Sequence, residues 1–391
     1  MEEAFMALER LGIGNAATEK LPDSIKWNVI ETLAKQHGLF GILVDGVEKL
    51  PQTTRPPLTI WLRWIGEVQL EEARYNQQWN EACKMAHLFH QNNIRTYVLK
   101  GIVVSECYSK PEHRVSCDVD CFLMLELDGS SGSNGSRVQE YCWEKGNQVI
   151  ENAGFEVEKV FYKNSTFRLS GLMVENHRFL TPFRGNKTLR RLEVYLQSEL
   201  KGCSRSSNSS SGSRFEGTEL WRPPVMVSAL FLIEHAYSHF LHEGLTWRHV
   251  LDWVMFSRRY KSEIDWNEFE TRIDEFGFRK FYDVFNEIGQ DAFGNDSSRI
   301  RELEKSTNNS QLATDSKPST LNAKLKARMI DDIWEPLDVH DSVRGGKGKL
   351  ALVGNTWRAR WKYHYFTEIS WLTALWIQAK GYLFEKNPKL G

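Results

Sequence analysis

Residues 98–124 read VLKGIVVSECYSKPEHRVSCDVDCFLM. RTYVLKG (95–101) is a β-rich run closed by glycine, IVVSECY (102–108) has the texture of a short helix, SKPEHRV (109–115) is a loop, and SCDVDCFLML (116–125) alternates as a strand does. Strand side chains alternate between faces, so Asp118 and Asp120 share one face, and Cys117, Val119 and Cys121 share the other. Two carboxylates on one face repel, and a divalent cation relieves that repulsion; hard oxygen ligands suit Mg²⁺. Mg²⁺ completes its octahedron with water and phosphate oxygens, so the pattern points to metal-assisted phosphoryl chemistry. On this reading Asp→Asn changes at 118 and 120 remove activity without lowering stability. Gly101, between strand and helix, lets backbone approach a phosphate closely. Lys100 and Arg114 would neutralise a triphosphate, the arginine in bidentate fashion. The plain alternative is a solvated strand face, an ordinary turn and an exposed lysine.

The texture on either side supports a mixed α/β unit over 95–200. GSSGSNGS (129–136) has the composition of a surface loop, and VQEYCWEKGNQVIENAGF (138–155) reads as a helix ending at Gly154. EVEKVFYKN (156–164), FRLSGLMVENHRFL (167–180) and the segment after Pro182 read as further strands. Residues 1–94 form a helical lobe, with Ile30, Leu33, Ala34 and His37, then Trp61, Trp64, Ile65 and Val68, at helical spacing. A Ser-rich linker covers 201–219, a helical lobe 220–300, a polar linker 301–320 and an aromatic-rich helical tail 321–391.

The ordered set of residues resembles the signature of the uncharacterised nucleotidyltransferase family within the polymerase-beta-like superfamily. That pattern is an LKG turn, a Tyr–Pro region, an arginine, then Asp-X-Asp on a strand. GLMVENHRFL (171–180) resembles the later strand that carries the superfamily's third carboxylate, here Glu175, and the family's following histidine, here His177. EHAYSHFLHEGLTWRHVLDW (234–253) resembles the family's helical segment, with His235, His239, Arg248 and Asp252 in matching places; LAKQHGLFGILVDGV (33–47) is similar more weakly. The resemblance spans most of residues 30–260. It implies an α/β (α+β) fold, a nucleotidyltransferase-like mixed sheet flanked by helical lobes. It further implies an NTP substrate with Mg²⁺ or Mn²⁺, held and turned over by Asp118, Asp120 and Glu175. Lys100, Gly101 and Arg114 would bind the nucleotide, while His177, His235, His239, Arg248 and Asp252 would brace the site. The implied reaction is transfer of a nucleotidyl group to an acceptor hydroxyl, with pyrophosphate leaving. Three positions depart from the superfamily: Ile102 after Gly101, Glu rather than Asp at 175, and Cys117 in place of a small polar residue.

His235 and His239 stand i, i+4, but Ala236 and Tyr237 replace the glutamate of an HExxH zinc site, so helix-face packing is the simpler account. Arg248 and Asp252, also i, i+4, suit an intrahelical ion pair. GGKGK (345–349) lacks the frame of a phosphate loop. WRARWKYHYF (357–366) interleaves basic and aromatic residues, a pattern that serves nucleic acid, an anionic membrane or a helix with buried tryptophans. Two alternatives follow: a degenerate member of the fold that binds nucleotide or a partner without turnover, and a peripheral-membrane or scaffold protein acting through that tail.

Composition bounds the rest. The chain has 391 residues, 41% of them hydrophobic and 26% charged, which excludes a mainly disordered chain. A net charge of −1 disfavours a large nucleic-acid substrate. Six cysteines without a CxxC pair fit a reducing, cytoplasmic setting, as does an acidic start, MEEAFMALERLGIG (1–14), where a signal peptide has basic residues. The sequons at Asn134, Asn164, Asn186, Asn208, Asn295 and Asn308 are then chance matches. No stretch reaches the length of an uncharged membrane span; 369–384, interrupted by Gln378 and Lys380, reads as an amphipathic helix.

Overall fold

The computed structural model describes residues 1–15, 21–22, 24–125, 135–160, 164–181, 186–202, 212–294, 320–335 and 348–376. The serine-rich stretches at 129–134 and 203–211, the polar stretch 301–319, most of GGKGK and the end of the tail from 377 lie outside the described residues. The helices are α1 (Glu2–Gly12), α2 (Trp27–His37), α3 (Phe40–Glu48), α4 (Leu58–His90), α5 (Lys100–Ser105), α6 (Gly135–Asn152), α7 (Lys187–Gly202), α8 (Val225–His242), α9 (Trp247–Arg259), α10 (Trp266–Glu275) and α11 (Arg279–Phe293), followed by Thr320–Trp334 and Gly348–Phe366. The strands are β1 (Ile94–Val98), β2 (Asp118–Leu125), β3 (Val157–Val160), β4 (Asn164–Leu169), β5 (Leu172–His177) and β6 (Leu220–Trp221). Contacts divide the chain into two compact units, one of Met1–Gly66, Ala236–Arg258 and Phe278–Trp371, the other of Glu67–His235, Arg259–Gly277 and Leu372–Gly391. No helix among the described residues is long and apolar enough to cross a membrane.

The first unit is helical. α1 and α3 cross at close range because each offers a glycine: a Cβ on Gly46 would stand 2.0 Å from Leu8 O, and one on Gly12 would stand 2.2 Å from Ile42 O. Gly38 ends α2 at φ 67°, a conformation that favours glycine. Trp334 fills the space between Phe5, His37 and Trp247, with ring centroids 5.8, 5.3 and 5.2 Å away. The aromatic-rich helix Gly348–Phe366 contributes Trp361, Tyr363 and Phe366 to the core, where Trp361 and Phe366 meet the Phe240 ring edge-to-face at 5.6 and 5.2 Å. Lys362 is fully buried there; its ammonium donates to Phe240 O at 2.7 Å and pairs with Asp332 at 2.6 Å. Trp357, 53% exposed, faces outward together with Arg358, Arg360 and His364.

The second unit is built on a six-stranded mixed sheet in the order β3-β4-β5-β2-β1-β6. β2–β5 and β1–β6 pair in parallel, the other neighbours antiparallel. Val119, Cys121 and Leu123 face a core that includes Ala82, Met85, Ala86 and Phe89 of α4 and Cys142, Val149 and Ile150 of α6. The alternation expected from the sequence therefore holds, and the mixed α+β class with it. Ser170 and Gly171, both at positive φ (49° and 85°), make the two-residue turn between β4 and β5 and fix their register, Asn164 opposite His177.

One expectation is corrected. The segment after Pro182 was expected to add a strand, but from Lys187 it is α7. Leu192, Leu196 and Leu200 recur at helical spacing and are fully buried, and Asn186 Oδ1 caps the helix by accepting from the Thr188 and Leu189 amides.

Candidate active site

The second unit carries the site on three neighbouring strands. β2 and β5 run parallel with Asp118 opposite Met173 and Asp120 opposite Glu175, and β4 lies against the far side of β5. A parallel pair in this register puts the carboxylates of Asp120 and Glu175 side by side on one face. The Leu99 amide donates to Asp120 O at 2.9 Å, continuing the β1–β2 ladder by one residue and delivering Lys100 to the same place. α4 secures the loop ahead of β2: Gln78 donates to Ser116 O at 2.9 Å and Arg74 to Cys117 O at 3.4 Å. Gly101 is pressed against that loop, since a Cβ there would meet Ser116 Oγ at 3.0 Å and Asp118 O at 3.7 Å.

The side chains form one connected set. Lys100 Nζ lies 3.1 Å from Asp120 Oδ1, and His177 Nε2 lies 2.9 Å from that same oxygen and 3.4 Å from Glu175 Oε2. Asn164 Nδ2 donates to Glu175 Oε2 at 2.9 Å. Asp120 and His177 are buried, Asp118 and Glu175 half-buried. Ligand atoms of Asp120, Glu175 and His177 lie within 4.8 Å of one another.

Electrostatics keep the carboxylates of Asp120 and Glu175 ionised. Burial pushes the Asp120 carboxyl up, but the Lys100 charge and the His177 hydrogen bond outweigh it and hold the group well below the ordinary carboxylate range. The His177 hydrogen bond lowers Glu175 against its burial and the Asp120 charge. For Lys100, burial opposes the charge, yet Asp120, Asp118 and Glu175 raise it above the usual lysine value.

These residues fit a divalent cation. Asp120 Oδ2 is buried and makes no hydrogen bond among the described residues, although the group is ionised. A buried anionic oxygen left in that condition is costly, and a cation ligated jointly with Glu175 is the ordinary remedy.

The remaining expected site residues are placed as follows. Arg114 is buried, directly after the turn Pro111–His113, which His113 Nε2 ties to Glu72 Oε1 of α4 at 3.0 Å. His235 lies on α8 in the second unit and stacks on Phe231 at 6.1 Å. His239, Arg248 and Asp252 belong to the first unit, where the His239 and His249 rings stand 4.7 Å apart and Arg248 packs over Gly38. Sequence reading missed Asn164. The Ser170–Gly171 turn held the signal: counting back from it pairs Asn164 with His177, one diagonal from Glu175.

The five described cysteines are free thiols. A search of curated proteins and of solved structures finds no match to the chain. The profile of the family described as uncharacterised nucleotidyltransferase, however, matches residues 23–128 and 138–288. That is well over half of the chain, and it includes every strand and every residue of the carboxylate cluster. This protein belongs to the uncharacterised nucleotidyltransferase family.

Proposed function

We propose that this protein is a divalent-metal-dependent enzyme that moves a nucleotidyl group from an NTP to an acceptor hydroxyl. The observation that supports this most is the ionised, buried Asp120 with one oxygen unmatched, set beside Glu175 and two residues from Asp118. Asp118, Asp120 and Glu175 would hold Mg²⁺ or Mn²⁺, and the bound metal supplies charge neutralisation and alignment for an in-line displacement. Lys100 would meet the phosphates; Gly101 allows close backbone approach, and Arg114 would add charge at the entry to β2. Glu175 is the group suited to accept the acceptor's proton, and His177 holds its carboxylate in place through Oε2.

The test is incubation of purified protein with each α-³²P-labelled NTP and Mg²⁺, with pools of small-molecule, tRNA and protein acceptors. The proposal expects pyrophosphate release together with transfer of the label to one pool. Hydrolysis to NDP and inorganic phosphate, or no turnover in any pool with Mg·NTP bound, contradicts it and favours a member of the fold that binds without transfer.

A further inference from the structure

The Lys100 ammonium occupies the carboxylate that a metal also needs. Lys100 Nζ shares Asp120 Oδ1 with His177 Nε2, and it feels the charges of Asp118 and Glu175 as well. The Asp120 side chain is fully buried and carried by a central strand, so it cannot withdraw. Lys100 can: its side chain is 19% exposed and flexible. Its stem also lines a small apolar cleft with Val103, Pro223, Val227 and Phe231.

An ammonium and a divalent cation drawn to the same carboxylates repel each other at these distances. The formal charges sharpen the point. Three carboxylates with one lysine leave room for one divalent cation at neutrality. Two such cations with Lys100 in place overshoot unless a triphosphate arrives with them.

We propose that Lys100 couples metal binding to nucleotide binding: it competes with the cation for Asp120, and the phosphates of an incoming nucleotide draw it away. The inference rests on the nucleotidyltransferase reading and adds an order to it. Free cation binds weakly and nucleotide tightens it, and by linkage the cation tightens nucleotide to the same degree. A lysine that only bound phosphate would leave the affinity for free metal untouched.

The experiment uses Mn²⁺ alone as an EPR-visible probe and each Mn·NTP by calorimetry. It compares the full-length wild type with Lys100→Met, Lys100→Gln and the charge-retaining Lys100→Arg, all checked for folding by circular dichroism. Lys100→Met and Lys100→Gln should bind free Mn²⁺ about tenfold more tightly than wild type and Mn·NTP about tenfold more weakly, while Lys100→Arg keeps the wild-type affinity for free Mn²⁺. Free-Mn²⁺ affinity unchanged or weakened in folded Lys100→Met and Lys100→Gln overturns the coupling. If Asp120→Asn, titrated alongside, loses free-Mn²⁺ binding in that case, the coupling alone fails. If Mn²⁺ and Mn·NTP bind neither wild type nor any variant, the enzyme reading fails and the coupling with it.

Discussion

Asp120 in the sheet unit and Glu9 in the helical unit are equally hidden from solvent, 3% and 0% exposed, yet their chemistry is opposite. Asp120 sits between an ammonium and an imidazole and is held ionised. Both Glu9 carboxyl oxygens lack a hydrogen-bond partner among the described residues; burial and the nearby Asp45 charge push its proton affinity well up. Burial alone therefore says nothing about function. What separates the two is whether the fold supplies opposite charge and leaves one oxygen open, the arrangement expected of a metal ligand and absent around Glu9.

Substitutions should pull the two sites apart. The largest effect is expected for Asp120→Asn. It should cost about a hundredfold or more in pyrophosphate release, and it should destabilise the fold by about 3 kcal/mol in urea unfolding because Lys100 loses its partner. Asp120→Asn with wild-type turnover would end the contrast between the two carboxylates.

Next comes the acid window of the helical unit. His37, buried against Phe5 and Trp334, is pushed down by burial to about 4. An unfolded histidine titrates near ~6.5, so the unfolded chain takes up a proton first as pH falls. Stability should fall by about 3 kcal/mol between pH ~6.5 and the folded value. His37→Leu should flatten that slope, and a slope unchanged in the variant would assign it elsewhere.

Glu9→Met comes third, with the opposite sign to Asp120→Asn. Because folding raises the Glu9 proton affinity, its protonated form stabilises the fold, and stability declines as pH rises above the unfolded value near ~4.3. Removing the two unmatched oxygens should stabilise the protein by about 1–3 kcal/mol at pH 8 and by less at pH 5, without changing turnover. Equal gains at both pH values would mean that packing, and not charge, decides the effect.

The smallest effect is expected at Asn164. Asn164→Ala should lower kcat about threefold to tenfold through a less fixed Glu175 while leaving the melting temperature within about 2 °C, and Asn164→Asp should be worse than Asn164→Ala because it sets a second carboxylate against Glu175. Equal kcat in all three proteins would remove Asn164 from the site.

The alternation of CDVDC made β2 and its two faces legible, because a period of two survives without knowledge of neighbours. Glu175 was found only through resemblance: nothing local marks it as lying opposite Asp120, since that register depends on a parallel pairing of segments far apart in sequence. The same holds for the ion pair of Lys100 with Asp120, which no local pattern marks. That pairing also reverses the expectation that Asp120→Asn leaves stability intact. α7 was misread because the Leu192–Leu196–Leu200 stripe follows a strand-rich run and a proline, and its burial depends on tertiary packing. Glu9 gave no sign of burial, because a charged side chain on a helix normally faces water and only the helix packing turns it inward, whereas His37 falls on the helical stripe of Ile30, Leu33 and Ala34.

On the reading proposed above, Asp118 and Asp120 create a metal-dependent nucleotide site. Its most direct test is calorimetric titration of wild type and of the Asp118→Asn/Asp120→Asn double variant with each NTP, with and without Mg²⁺. Wild type should bind at least one NTP in a Mg²⁺-dependent way, and a folded double variant should lose that binding. Binding that ignores Mg²⁺, or that persists undiminished in the double variant, would contradict it.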